Sequence, residues 1–86
     1  MKEFTYRIAD PVGIHARPAG IFAKKAAEFE SKVTVVKGEK SADTRRIMHL
    51  MGLGIKKDDI ITVRCEGNDE DRAAEELKNF LADNNF

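Results

Sequence analysis

Phe4, Tyr6 and Ile8 alternate with Thr5 and Arg7, the period-two pattern of a strand with one face covered, and Asp10-Pro11 ends it. The period then changes. Ala19, Phe22, Ala23, Ala26 and Phe29 recur every three or four residues, which predicts a helix burying one stripe, with Lys24, Lys25 and Glu28 mostly outside it. Pro18 is tolerated in a first helical turn, where its missing N–H would have no intrahelical partner, so the helix is expected to begin near His15 or Ala16. Val33 and Val35 alternate with Thr34 and Val36. Lys37-Gly38-Glu39-Lys40 then reads as a tight turn into a short strand from Lys40 to Ala42. Ile47, Leu50 and Met51, with Met48 beside them, predict a short helix. Asp43 or Thr44 would cap it, and Gly52 and Gly54 would stop it by allowing left-handed backbone.

Ile61, Val63 and Cys65 share one face of a strand over Ile60 to Cys65, with Ile60, Thr62 and Arg64 on the other. The pattern leaves open which face is buried. Gly67-Asn68-Asp69-Glu70-Asp71 is a helix start, with Asn68 or Asp69 as cap and acidic residues complementing the dipole; Ala73, Leu77, Phe80 and Leu81 form the core stripe behind it. The expected order is βαββαβα in one domain over residues 1–86, an α+β arrangement with helices on one face of a four-stranded sheet. Alternating directions make the first two strands parallel, and the last strand, opposite to both, can sit between them. A ferredoxin-like order uses nearly the same elements, and periodicity admits both.

Of the 86 residues 42% are hydrophobic, enough for a modest core without disulfide or metal. Fifteen basic and fifteen acidic residues cancel, so the overall charge indicates neither a nucleic-acid nor an anionic-membrane partner. Any basic site must be local. A single Tyr and the lack of an aromatic RNA-binding motif also disfavour a nucleic-acid module. Cys65 is the only cysteine, is expected to be a packed side chain, and is not spaced with His15 and His49 like a zinc site. His49 is expected to lie exposed. Met1-Lys2-Glu3-Phe4-Thr5 lacks the apolar core of a signal peptide, and no apolar run reaches membrane-spanning length. The expectation is a soluble cytoplasmic protein without metal or cofactor.

The chemistry concentrates in Gly13-Ile14-His15-Ala16-Arg17-Pro18-Ala19, which places an imidazole and a guanidinium where the first helix begins. The free N–H groups of Ala16 and Arg17, at the positive end of the dipole, could receive an anion. This segment resembles the phosphorylation-site motif of HPr, the histidine-containing phosphocarrier family of the bacterial phosphoenolpyruvate-dependent sugar phosphotransferase system. Ile47-Met48 and Leu53-Gly54-Ile55 match downstream, and the resemblance covers essentially the whole chain.

The resemblance implies an open-faced β-sandwich with an antiparallel sheet ordered 1-4-2-3. It implies a stoichiometric carrier and no enzyme of its own: enzyme I would phosphorylate His15, at Nδ1, and His15 would pass the group to the A component of a sugar-specific permease. Arg17 would stabilise the phosphate through its planar fork, assisted by the Ala16 and Arg17 N–H groups. Gly20, Lys24, Ile47, Met48 and Met51 would form the partner surface of a monomer. The alternative is a related regulatory protein whose His15 phosphorylation state reports metabolic status. One position departs from the family: many relatives carry a regulatory serine where this chain has Arg46. Neither Ser41 nor Thr44 is in register to replace it.

Overall fold

The structure, a computed structural model, describes residues 1–86. Seven elements follow one another: β1 (Lys2–Arg7), α1 (Ala16–Ala26), β2 (Lys32–Lys37), β3 (Lys40–Asp43), α2 (Ile47–Met51), β4 (Ile60–Glu66) and α3 (Glu70–Asp83). The sheet runs β1-β4-β2-β3 with every neighbour antiparallel. That order decides between the two arrangements the pattern allowed. Val63 of β4 sits between Phe4 of β1 and Val35 of β2, so three apolar residues line up across the sheet.

The buried face of β4 is Ile61, Val63 and Cys65, each fully buried, while Ile60 is 64% exposed on the other side. Only an inward Val63 continues the Phe4 and Val35 row. The helices cover this one face: Ala19, Phe22 and Ala26 of α1, Leu50 of α2, and Ala73, Ala74, Leu77 and Leu81 of α3 join the sheet residues in one core. Phe29 also packs there, although it lies beyond the end of α1. The β2–β3 turn has positive φ at Gly38 alone, consistent with a two-residue hairpin loop that starts on glycine.

The helix ends differ from expectation. The N-cap of α2 is Arg46, with no side-chain capping bond, because the two expected caps are engaged elsewhere. The Asp43 carboxylate accepts from the Arg45 N–H and guanidinium, and the Thr44 hydroxyl donates to the Val33 carbonyl. Gly52 is right-handed, at φ −65°. Gly54 alone of the expected pair has left-handed backbone, at φ +65°. Asp69 is the N-cap residue of α3, but its side chain does not cap; the carboxylate accepts from the N–H groups of Glu30 and Ser31 and from the Ser31 hydroxyl.

Candidate functional site

The segment from Ile8 to His15 is held along its length by main-chain bonds to distant parts of the chain. The Ile8 N–H donates to the Asp59 carbonyl at 2.9 Å, and the Ala9 and Asp10 N–H groups donate to the Phe86 main-chain oxygen at 2.7 and 2.9 Å. Ile14 donates to Ile55 at 3.1 Å. Asp10 shapes the turn between these anchors: its carbonyl accepts from Gly13 and its Oδ1 from the Val12 N–H at 2.8 Å. Gly13 has φ +78°, and a Cβ there would run into the Ile55 carbonyl oxygen. The backbone therefore passes close beneath the Ile55 segment only because residue 13 has no side chain.

His15 emerges from this turn as the N-cap of α1, with extended backbone and no side-chain capping bond. Its carbonyl accepts the first helical bond, from Ala19 at 2.9 Å. The N–H groups of Ala16 and Arg17 have no protein acceptor, and Pro18 has no N–H to satisfy. Two donors thus point out of the helix beside an exposed imidazole. Arg17 is exposed and forms no ion pair, which leaves its whole guanidinium fork free. The two side chains share a shallow depression with Asp10, Pro18, Ile21, Asn84 and Phe86.

Phe86 carries no functional signal in the sequence, and Asp10 reads there only as the end of a strand. Phe86 is buried, with its ring centroid 6.2 Å from Phe22 and 5.9 Å from Phe80. Polar Asn84 and Asn85 separate it from the stripe of α3, so no periodic signal reaches it. Asn85 has φ +58°, where the chain turns back toward α1.

The expected partner residues lie on α1 and on α2, which packs against it, and none of them lines the depression itself. Lys24 is exposed and unpaired; Gly20 is half-buried, and a Cβ there would meet nothing. Ile47 is 39% and Met48 75% exposed, whereas Met51 is half-buried and packs against the core. Met51 therefore backs this surface more than it presents it. Arg46 and His49 are exposed, and Thr44 is buried. Cys65 is buried within the sheet, and burial, with smaller contributions from Asp69 and Glu70, pushes its thiol up to about 11. It is unsuited to nucleophilic work near neutral pH. No group of three or more His, Cys, Asp or Glu side chains could hold a metal ion, and no helix is long and apolar enough to cross a membrane.

The family model described as the PTS HPr component phosphorylation site matches residues 2–83. The phosphocarrier protein HPr of Mycoplasma capricolum is 40% identical over 96% of this chain and 93% of its own. Among solved structures, a mycoplasmal histidine-containing phosphocarrier protein superposes with a TM-score of 0.91 at 38% identity, covering 96% of this chain and 94% of that one. An HPr from Thermoanaerobacter tengcongensis superposes at 0.89 with 35% identity, covering 95% and 92%.

Proposed function

The chain belongs to the HPr family of the phosphotransferase system, and from that membership we propose that His15 accepts a phosphoryl group from phosphorylated enzyme I and donates it to the A component of a sugar-specific permease. The observation that carries this is the exposed His15 imidazole beside two unsatisfied N–H groups and an unpaired Arg17.

The lone pair of a neutral ring nitrogen attacks phosphorus, while the bond from phosphorus to the donor's nitrogen breaks and its electron pair stays with the donor. The second step runs the same way, with His15 as leaving group. A phosphoramidate lacks the resonance stabilisation of a phosphate ester, so the group remains transferable. In-line positioning and charge neutralisation are what the transfer requires, and a carboxylate acting as general base is not. Arg17 takes phosphoryl oxygens through its fork, and the Ala16 and Arg17 N–H groups take the oxygen nearest the helix.

Gly20, Lys24, Ile47 and Met48, backed by Met51, receive the partner. Flexible methionine suits a surface that must fit unrelated proteins in turn. On this reading the chain is a stoichiometric carrier that works as a monomer in the cytoplasm. Incubation with phosphoenolpyruvate and enzyme I, followed by intact-mass measurement, should add one acid-labile phosphoryl group to the wild type and none to His15→Ala. Label retained by His15→Ala, or absent from the wild type, would remove His15 from this role.

A further inference from the structure

Asp10 is the only acidic side chain lining the depression that holds His15 and Arg17. One carboxylate oxygen accepts the Val12 N–H at 2.8 Å; the other has no partner, and no cation pairs with the group. Shaping the turn requires only an acceptor at Oδ1, which an asparagine would supply equally well. The negative charge is therefore additional to the fold. It lines the same small depression as His15, the residue that would carry a phosphoryl dianion, and Arg17.

We propose that Asp10 sets the phosphoryl-transfer potential of the site. This rests on the reading of His15 as the phosphoryl-bearing residue. Arg17 and the helix N–H groups by themselves would favour the phosphorylated state and make the carrier a sink. The Asp10 carboxylate repels the phosphoryl oxygens and offsets Arg17, so the group is held weakly enough to move on. A like charge sharing one small depression, between the dielectric of protein and of water, is worth roughly three- to thirtyfold in an equilibrium constant. Asp10 touches no reacting atom in this scheme. It acts through the field at the phosphoryl group, as a tuning residue.

The test is the equilibrium constant for phosphoryl exchange with enzyme I, at a fixed ratio of phosphoenolpyruvate to pyruvate and read by intact mass. Asp10→Asn removes the charge and keeps the Val12 acceptor; Asp10→Ala removes both. Both variants should shift toward the phosphorylated form by roughly three- to thirtyfold, less so at high salt. Glu75→Gln makes the same change in net charge in a separate groove beside Lys2 and Phe4 of β1 and should leave the constant unchanged. If Asp10 only builds the turn, Asp10→Asn will match the wild type while Asp10→Ala alone departs, and the proposal fails. It fails equally if neither variant shifts, or if both shift toward the unphosphorylated form. A wild type that takes phosphate while Asp10→Asn leaves the constant unmoved defeats this inference and leaves the carrier role standing; a wild type that takes none defeats both.

Discussion

At residue 13 a single missing side chain decides whether the site can be assembled. Gly13 has φ +78°, and a Cβ there would lie 2.8 Å from the Lys56 Cα as well as against the Ile55 carbonyl. Left-handed backbone in a non-glycine residue costs about 1–3 kcal/mol, and here the neighbouring backbone must also move. Gly13→Ala should therefore lower the melting temperature by at least about 4–8 °C, the shift expected for 1 kcal/mol in a domain of this size. On the proposed role it should also slow phosphoryl acceptance, because the displaced segment leads directly into His15 and carries the Ile14 to Ile55 bond. Thermal unfolding followed by circular dichroism and a phosphorylation time course read the two effects. A variant that melts with the wild type would show that the close approach is not required. Asp10 belongs to the same scale: as the residue before Pro11 it reads as a strand terminator, and nothing in its immediate neighbours reveals the charged site it joins.

The elements were legible wherever local periodicity alone determines them. The stripe from Ala19 to Ala26 and the alternation in β1 and β2 are properties of residues a few positions apart, and they fold as they read. The caps were not legible, because a carboxylate bonds whichever donors the fold brings nearest. Asp69 takes the Glu30 and Ser31 N–H groups at 2.9 Å and so ties the end of the α1–β2 connection to the start of α3. The Ser31 hydroxyl, followed by the Glu30 N–H, holds the Asp69 carboxyl below the usual carboxylate range. Glu70 is held low as well, chiefly by its hydrogen bond to the amino-terminal ammonium. The folded state thus binds fewer protons than the unfolded chain as pH falls through the ordinary carboxylate values, about 3.9 for Asp and 4.3 for Glu. The stability these groups confer is fully present above those values and is lost as pH drops through the depressed folded ones. Asp69→Ala should lower stability at neutral pH and flatten the decline below about pH 4. Denaturant unfolding across pH measures both; an unchanged acid slope would mean that Asp69 is not the group responsible.

The molecule as a whole is neutral but not uniform. From residue 11 through 27 and from 44 through 57 there is no Asp or Glu, while Arg17, Lys24, Lys25, Arg45, Arg46, Lys56 and Lys57 all fall in those segments. The fold places α1 beside α2, and Asp69, Glu70, Asp71, Glu75 and Glu76 gather at the start of α3. Asp43 pairs with Arg45, and Glu28 and Glu76 with Lys25, so a net charge of zero conceals a smaller basic surface on the packed α1 and α2, made by the unpaired Arg17, Lys24 and Arg46. In the proposed relay, association with enzyme I through this surface should be electrostatically steered, and its on-rate should fall by roughly an order of magnitude from low to physiological salt. Lys24→Glu or Arg46→Glu should slow association further while changing dissociation less. Stopped-flow measurement of both rates checks this, and an on-rate indifferent to salt would deny the surface that function.

Chain neighbours by themselves determined the kinds of element, their order, and the placing of His15 and Arg17 at a helix start, because periodicity and the missing N–H of Pro18 act within a turn or two. Tertiary structure alone decided that β4 lies between β1 and β2, that Ile61, Val63 and Cys65 face inward, and that Phe86 and Asp10 complete the depression around His15. These depend on which distant segments pack together. Pairing across the sheet and closure of the chain end onto α1 are set by the shared burial of residues far apart in the chain, a term that no local window contains.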